Sequence, residues 1–517
     1  MDDVAIPDVR GWLARQTVIV RGLAGAFVVM LGERLDAFVA LVGALRAQVA
    51  DRDHRIAQLE RQAFGRKSER LKLPDPKREA RRALRRKLTP EEREARRQEE
   101  RTKSRKNRES LPVVDKLIHL PAETCCPACG GTDLHALGEG EVTEQIELVP
   151  AHLVRLRFVR EKRACGCGQG IVTAPPPPQV VEGGEYGPKL HAHVVVSKCV
   201  DAMPLHRQSR AFARAGLQLS PTQLCAMFHR VAEAVEPIHK AMLARLPESR
   251  YVQADETTQP VLEPGQCRKG WMWTFLDELS IVFVYDPSRG GKVAARVLGV
   301  SEGVLTVDGH TGYNPVTTPE GRMRGGCWSH ARRKLYEARA YAPEMVDAVL
   351  LLIHEMFVVE QSAIEEGIVG TRRHLRLRQR RSAPLMRAVM KKLDETVGAF
   401  SPESTLAKAS RYVLNQRDAL ALYLTDARVH MHNNASESAL RIVALLRKNA
   451  LFVGHDQGGH HLAILLSMCA TCRLHGVNPD AWFADVLIRI SERGSTVEEL
   501  LPWVWKEGRG VVPSDTS

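Results

Sequence analysis

The N-terminal part of the chain carries apolar residues at the spacing of a coiled coil. From Leu31 onward they recur alternately four and three positions apart, with charged residues between them. The series is Leu31, Leu35, Phe38, Val42, Leu45, Val49, Arg52, Ile56, Leu59 and Ala63, in which Arg52 is the one polar member. Sustained heptads of this kind predict a coiled coil over residues 1–64 and therefore a homo-oligomer. A single amphipathic helix packed on its own chain is the alternative.

Residues 186–246 have a helical pattern with one short interruption. Residues 207–215 read as one helix, Gly216 as a turn and Ser220-Pro221 as the start of a second helix. Serine caps the free amides at a helix start, and proline fits the first helical position. The spacing predicts a helix-turn-helix-like domain over residues 179–247, as in many DNA-binding proteins. An ordinary helical hairpin has the same pattern.

Strand patterns and helical patterns alternate farther along the chain. Residues 250–257, 271–276, 280–285 and 304–308 read as strands, and residues 291–298 read as a helix. A longer, mostly helical interval follows at 340–424. The predicted fold is therefore multidomain and mainly α, with an α/β part that contains a helical insertion.

The composition changes this picture mainly through charge. The chain has 517 residues, is 44% hydrophobic and carries a formal net charge of +13, which favours a polyanionic partner such as nucleic acid. Residues 65–110 contain nineteen Lys or Arg against nine Asp or Glu, so most of the excess charge lies there. Such a stretch is a solvated linker by default, and it also suits contacts with DNA phosphates. The arginine-rich segment 372–381 allows the same two interpretations.

Two cysteine pairs indicate a zinc site. Cys126 and Cys129 are separated by two residues, Cys165 and Cys167 by one, and glycines follow both pairs. Four thiolates in two tight pairs suit a structural, tetrahedral Zn²⁺, whereas buried free thiols are the alternative. The short apolar stretch near the N-terminus has neither signal-peptide flanks nor transmembrane length. We therefore expect a cytoplasmic protein with no membrane partner.

Three acidic residues are candidates for a catalytic metal site. Asp255 and Asp308 lie at or near the ends of predicted strands, and Glu437 lies in the first turn of a helix that Asn433 or Asn434 can cap. Carboxylate oxygens are the ligands that Mg²⁺ prefers, and two metal ions can hold the attacking and leaving oxygens of a phosphoryl transfer. A lone acidic residue at a strand end is usually only solvated, so the prediction depends on the combination.

Two basic motifs accompany the acidic residues. Basic and polar side chains beside a carboxylate site can bind phosphates, and a surface-charged helix is the alternative. The candidate DNA-binding residues are His330, Arg332, Arg333 and Lys334 in the first motif and Arg447, Lys448 and Asn449 in the second.

These motifs, in this order, resemble the transposases of the insertion sequence 66 group over nearly the whole chain. The resemblance is carried by Gly65-Arg-Lys-Ser68-Glu-Arg-Leu71, the cysteine pairs, Ala254-Asp255-Glu256-Thr257, Asp308-Gly-His-Thr-Gly-Tyr-Asn314, Trp328-Ser-His330-Ala-Arg-Arg-Lys334, Asn433-Asn434 with Glu437, and Arg447-Lys-Asn449 with Leu451-Phe452-Val-Gly454. The chain departs from the family at Ser438, where arginine is common, and at His310, where an aromatic residue is usual.

The resemblance implies a ribonuclease-H-like core with an Asp-Asp-Glu (DDE) triad, here Asp255, Asp308 and Glu437, holding Mg²⁺ or Mn²⁺. It also implies an N-terminal coiled coil, a zinc finger and a C-terminal family segment. Its members act on double-stranded DNA, at the inverted repeats of their own element, usually beside helper proteins that the element encodes. The implied activity is metal-dependent cleavage of the 3′ end followed by strand transfer.

The expected division of the chain follows from these patterns. It comprises a coiled-coil region (1–64), a basic linker (65–115), a zinc-binding domain (116–178), a helical DNA-binding-like domain (179–247), a catalytic domain (248–450) with its helical insertion (340–424), and a C-terminal helical segment (451–517). Two other functions are compatible with parts of this pattern: a zinc-containing DNA-binding regulator with an inactive nuclease core, and a hydrolase with paired carboxylates such as a glycosidase.

Overall fold

The computed structural model describes residues 153–164, 171–173, 177–180, 184–492 and 494–508, together with positions 94, 95, 98 and 102. The predicted coiled coil and the four paired cysteines lie outside these residues, as does the predicted basic linker apart from the four single positions. By its contacts the chain divides into two units, residues 68–156 and the remainder. In the first unit, positions 94, 95, 98 and 102 are helical and exposed. Residues 153–156 are exposed and have no regular secondary structure.

The described residues of the second unit are mostly helical and include two sheets. The strands are β1 (Lys162–Ala164), β2 (Ile171–Thr173), β3 (Tyr251–Glu263), β4 (Gln266–Leu276), β5 (Ile281–Asp286), β6 (Val304–Thr306) and β7 (Met323–Gly325). The helices are α1 (Pro188–Cys199), α2 (Leu205–Arg214), α3 (Pro221–Arg245), α4 (Lys292–Leu298), α5 (Trp328–Glu337), α6 (Pro343–Glu365), α7 (Arg372–Leu377), α8 (Ala383–Ala399), α9 (Thr405–Leu414), α10 (Arg417–Ala421), α11 (Asn434–Ala450), α12 (Asp456–Leu474), α13 (Pro479–Glu492), α14 (Val497–Leu500) and α15 (Pro502–Gly508).

The larger sheet is mixed, with strand order β5-β4-β3-β6-β7. Strands β3, β4 and β5 are antiparallel to one another, whereas β6 and β7 run parallel to β3. The small sheet pairs β1 with β2 in antiparallel fashion, on either side of the segment that contains Cys165 and Cys167.

Strand β3 is longer than the sequence predicts. The pattern predicts a strand over residues 250–257, but β3 continues to Glu263 and turns into β4 at Gly265, whose φ of +78° suits a tight turn. Pro260 does not end the strand, because its nitrogen faces away from β4 and its missing N–H therefore costs no hydrogen bond to that strand. Its carbonyl faces the same side, which the short strand β6 leaves open, and accepts a hydrogen bond from Val453 N. Asp255 therefore lies inside a strand, and its predicted position at a strand end is wrong.

The helical hairpin before the sheet begins where the sequence predicts. Ser220 caps α3, and its side chain and that of Gln223 form a reciprocal capping box ahead of Pro221. Gly216, in the turn between α2 and α3, has a φ of +88°, which glycine adopts without a steric penalty.

One hydrophobic core joins this hairpin, the larger sheet and the C-terminal helices. Buried residues of α1 and α3 share the core with those of β3–β5, α12 and α13. Helix α12 lies against β5, and Tyr285 on that strand donates a hydrogen bond of 2.5 Å to Asp456 at the start of α12. Helices α3 and α12 thus pack on the sheet that positions Asp255 and Asp308, and α1 and α13 pack on these two helices.

The interval between β7 and α11 is helical. Helix α8 packs against α6 and α9, and α5 packs against the same two helices. Among the described residues, none of the helices combines the length and the apolar character needed to cross a membrane.

Candidate active site

Two of the three candidate acidic residues are positioned by neighbouring parallel strands. Gln253 on β3 pairs with Thr306 on β6, and Asp255 and Asp308 each follow two residues later. Asp308 lies just beyond the end of its strand, where its Oδ1 accepts a hydrogen bond of 2.9 Å from His310 N. Because the paired strands run in the same direction, the two aspartates are side by side.

Glu437 reaches the same region from a helix. It lies in the first turn of α11, which packs against β3. Asn433 is the N-cap residue, as one of the two predicted alternatives has it, although its side chain makes no capping hydrogen bond. The Asn433 carbonyl accepts the first backbone hydrogen bond of the helix, from the Glu437 N–H at 3.2 Å.

The surroundings of Asp255 disfavour its charged form. Burial and the charges of Glu256, Asp308 and Glu437 together raise the pKa of Asp255 to about 8, against a lowering contribution from the Glu256 backbone amide. Like charges at short range disfavour ionisation of one another, and a divalent cation would offset that repulsion. Oxygen donors from three elements therefore fit a hard metal ion such as Mg²⁺.

Glu256, next to Asp255, is held by other side chains. Its Oε1 accepts two hydrogen bonds from Arg289, at 2.9 and 2.7 Å, and its Oε2 accepts one from the Tyr313 hydroxyl at 2.5 Å. Arg289 also stacks on the Trp271 ring. These contacts could not be predicted from the sequence, although Glu256 and Tyr313 both belong to motifs that carry the family resemblance. They anchor β3 to the loops after β5 and β6, beside both aspartates.

The first basic motif forms α5 and brings His330 to Glu437. His330 Nδ1 lies 3.6 Å from Glu437 Oε1. Arg333 and Lys334, one turn farther on, are exposed, and Lys334 makes an ion pair of 3.6 Å with Glu337. Arg332 is partly exposed. We call Asp255, Asp308 and Glu437 the acidic cluster. The motif thus has one residue at the acidic cluster and basic side chains at the surface.

The second basic motif is divided between internal contacts and the surface. Arg447 donates hydrogen bonds to the carbonyl and the hydroxyl of Thr258 on β3, the latter at 2.6 Å. Asn449 donates to the Ala202 carbonyl at 2.8 Å, whereas Lys448 is exposed. Arg447 and Asn449 therefore connect α11 to neighbouring elements of the fold.

Comparison with known proteins identifies the family. Residues 183–461 match the family described as "Transposase IS66 family", residues 123–168 match the "zinc-finger binding domain of transposase IS66", and residues 467–503 match the "IS66 C-terminal element". The chain belongs to the IS66 transposase family.

Relatives of this IS66-family chain match it over most of its length. It is 33% identical to the uncharacterized protein y4jD of Sinorhizobium fredii (strain NBRC 101917 / NGR234), over 89% of this chain and 96% of the relative. It is 28% identical to the uncharacterized protein y4qI of the same organism, over 92% of this chain and 93% of that protein.

The zinc-finger match covers both cysteine pairs. Cys126, Cys129, Cys165 and Cys167 all fall within residues 123–168. This supports structural zinc in the IS66-family chain, while the four cysteines as its ligands stay a prediction.

A basic groove lies beside the C-terminal end of α11. It has a volume of about 450 Å³, and Arg207, Arg210 and Arg214 of α2 line it together with Asp201 and Asn449. The three arginines are exposed and lie at positions i, i+3 and i+7, on one face of the helix. The helix is predicted from the sequence but this cluster is not, because charges at helical spacing form a patch only when that face of the helix stays exposed.

The arginine-rich segment 372–381 is only partly exposed. Arg378 is 1% exposed and makes two hydrogen bonds, of 2.7 and 2.6 Å, with Glu360. It also donates to the carbonyls of Tyr423, Asp426, Ala427 and Val429. Arg378 is therefore unavailable to DNA, which removes it from the predicted cluster.

Proposed function

We propose that this chain is a DNA transposase of the DDE type, which binds the terminal inverted repeats of its insertion element and catalyses metal-dependent 3′-end cleavage and strand transfer. The observation that carries the proposal is the convergence of Asp255, Asp308 and Glu437 from two parallel strands and one helix. Membership of the IS66 transposase family supports the same reaction class.

In this mechanism Asp255, Asp308 and Glu437 would hold two Mg²⁺ or Mn²⁺ ions. Bound metal supplies a water or hydroxyl group of lowered pKa and neutralises charge on the leaving oxygen. The protein itself holds the three carboxylates in position. The hydrogen bonds of Glu256 with Arg289 and Tyr313 hold β3 and the loop after β6 together, beside Asp255 and Asp308. No covalent enzyme intermediate is required, because phosphoryl transfer depends mainly on positioning and charge stabilisation.

The catalytic domain is residues 248–450, a ribonuclease-H-like core in which residues 340–424 are a helical insertion. The mixed sheet with helices on it and the helical interval between β7 and α11 support this division. The coiled-coil region (1–64) pairs two protomers so that both element ends are handled together. The zinc domain (116–178) and helper proteins of the element complete the complex.

DNA phosphates contact basic side chains around this core. Arg332, Arg333, Lys334 and Lys448 are wholly or partly exposed and lie on the two helices that carry His330 and Glu437. His330 acts at the acidic cluster, while Arg447 and Asn449 hold the end of α11 in place. The basic stretch 65–110 adds sequence-independent affinity through counterion release.

An end-cleavage assay tests the reaction class. Purified protein is incubated with a labelled double-stranded fragment of its own element's end, with Mg²⁺ or with a chelator. We expect cleavage with Mg²⁺, and cleavage by Glu437→Gln no higher than in the chelator reaction. Glu344→Gln is the matched control, because Glu344 also lies in the first turn of a helix but is exposed, and it should cleave normally. Binding without cleavage would favour the DNA-binding regulator, and full cleavage by Glu437→Gln would refute the triad.

A further inference from the structure

A second group of metal-ligating side chains lies at the edge of the acidic cluster. Cys327 is the N-cap residue of α5, His330 lies in the first turn of that helix, and Glu437 lies in the first turn of α11. One ligand atom from each residue, the thiol sulfur, an imidazole nitrogen and a carboxylate oxygen, lies within 4.8 Å of the other two.

The two helix starts that carry these residues are joined. Trp328 N donates to the Met431 carbonyl at 2.9 Å, and Ser329 Oγ donates to Asn434 Oδ1 at 2.9 Å. The three ligands therefore lie on two helix starts that are hydrogen-bonded to each other.

Independent observations at the same place point to a ligand. Within the described part of the chain, His330 Nδ1 and Glu437 Oε1 are buried atoms without a hydrogen-bond partner. Asn433 is fully buried, and its backbone N–H lies beside the Cys327 thiol. Neither polar atom of its side chain has a hydrogen-bond partner among the described residues. Buried polar groups left unpaired are costly and rare in folded proteins, and a bound cation would satisfy the imidazole and carboxylate lone pairs.

The donor set selects the kind of metal. Sulfur, nitrogen and oxygen together suit Zn²⁺ or another borderline-soft divalent ion, whereas Mg²⁺ prefers oxygen alone. At the tetrahedral angle, the usual bond lengths place a nitrogen and an oxygen ligand of zinc about 3.3–3.5 Å apart. The distance of 3.6 Å between His330 Nδ1 and Glu437 Oε1 is close to that interval. Three protein ligands leave the fourth position for water.

We propose that Cys327, His330 and Glu437 form a Zn²⁺ site, separate from the zinc finger, whose occupancy withdraws Glu437 from the catalytic carboxylates and inhibits the enzyme. When the metal binds, the thiol proton is released to solvent and the sulfur becomes a thiolate ligand. The binding site stands on its own geometry, and only the inhibition rests on the proposed function.

Zinc content of the full-length protein tests the site. Protein saturated with Zn²⁺ and passed through a desalting column is analysed for bound zinc by mass spectrometry. We expect Cys327→Ala and His330→Gln each to hold one zinc per chain fewer than the wild type. Cys225→Ala, which removes a partly buried free thiol from α3, should hold the wild-type amount. The zinc finger contributes equally to all four proteins and so cancels.

Equal zinc content in the wild type and both variants would overturn the site. Circular dichroism identifies a variant that fails to fold, and the other variant then decides. With Co²⁺ in place of Zn²⁺, the thiolate-to-metal absorption should fall in Cys327→Ala and keep its intensity in Cys225→Ala.

The inhibition is measured in the end-cleavage assay. At saturating Mg²⁺, one equivalent of Zn²⁺ beyond the zinc finger should inhibit the wild type. The Zn²⁺ concentration that halves the cleavage rate should be at least tenfold higher for Cys327→Ala than for the wild type, each relative to its own rate without added Zn²⁺. If the zinc contents of the wild type and the variants differ as expected but the protein never cleaves DNA, the zinc site is supported and the proposed function is refuted. Cleavage that is insensitive to Zn²⁺ in a wild type holding the extra ion would refute the inhibition alone.

Discussion

Asp255 serves the proposed function but lowers the stability of the folded chain. Three carboxylates held close together repel one another, and burial adds to the cost of charging Asp255. Such sites are stabilised by the cation that they bind, because a ligand of the folded state raises the free energy of unfolding.

The first prediction concerns this linkage. At neutral pH the unfolded chain ionises Asp255 freely, whereas the folded chain must keep it protonated or charge it beside like charges. Asp255→Asn removes this cost, so we expect it to melt at a higher temperature than the wild type in chelator at about pH 7. Mg²⁺ at about 100 times its Kd should stabilise the wild type by about 3 kcal/mol and the variant by far less. Differential scanning fluorimetry across a Mg²⁺ titration measures both effects, with Glu344→Gln as the control. An equal Mg²⁺ response in Asp255→Asn would count against a metal site at these carboxylates.

His239 gives a prediction for the pH dependence of stability. It is buried in α3, where its Nε2 lies 2.9 Å from the Phe283 carbonyl oxygen, and burial lowers its pKa to about 4. In the unfolded chain the pKa of histidine is about 6.5, so the unfolded state binds the proton first as the pH falls. The stabilisation by neutral His239 is complete above the unfolded pKa and is lost as the pH falls from about 6.5 towards 4.

Urea denaturation followed by tryptophan fluorescence at about pH 7.5 and about pH 5 measures this contribution. Over that interval we expect the wild type to lose about 2 kcal/mol more of its unfolding free energy than His239→Gln does. Other buried histidines, whose pKa values are also lowered, add the same loss to both proteins. Identical losses in the two proteins would show that His239 does not contribute.

At the scale of elements, Arg378 connects the helical interval to the segment that leads into α11. The Glu360 carboxylate on α6 and four carbonyls between α10 and α11 all accept hydrogen bonds from it. A buried charge that loses its partner is strongly destabilising. Because α11 carries Glu437, loss of Arg378 should also displace the start of that helix.

The corresponding prediction compares two arginines of one segment. Arg378→Leu should lower the free energy of unfolding by about 3–5 kcal/mol, whereas Arg381→Leu, at an exposed position, should change it by less than about 0.5 kcal/mol. Adding Glu360→Leu to Arg378→Leu should recover part of the loss, since no unpaired carboxylate remains. Urea denaturation of the four proteins measures the changes, and similar losses in the two arginine variants would refute this assignment.

Some elements could be predicted from the sequence because their determinants are local. The start of α3 at Ser220 and Pro221 and the apolar strand before Asp308 each depend on neighbouring residues. The full length of β3 could not be predicted, because Val453, far along the chain, supplies the hydrogen bond that keeps Pro260 within the sheet.

The candidate site divides in the same way. Asp255, Asp308 and Glu437 could be named from predicted strands, a helix start and the family resemblance, although Asp255 lies inside β3 and not near its end, and no periodicity brings Glu437 to residues so distant in sequence. The burial of Arg378, which lies among exposed arginines, and the contacts of Glu256 depend on the tertiary fold alone. Local patterns therefore suggested candidate residues, and the packing decided which ones face the site, the core or solvent.

At the scale of the whole molecule, positive charge is concentrated at definite places. The stretch 65–110 holds most of the excess, and the groove beside α11 adds Arg207, Arg210 and Arg214. None of these three arginines belongs to an ion pair within the described part of the chain, so their charge is available to a polyanion. Each phosphate that a protein neutralises adds about 0.9 to the slope of log affinity against log salt on B-form DNA.

The last prediction tests whether DNA occupies this groove. Replacing Arg207, Arg210 and Arg214 together by Gln should reduce the salt slope for binding a double-stranded fragment of the element's end by about 1–3, because each contact contributes separately. Fluorescence anisotropy at several salt concentrations measures the slope. Replacing exposed Arg372, Arg376 and Arg380 by Gln makes the same change in net charge and serves as the matched control. If both triple variants lower the slope equally, total charge rather than the groove determines affinity; if only the α2 variant does, the DNA path runs along α2 and past the end of α11.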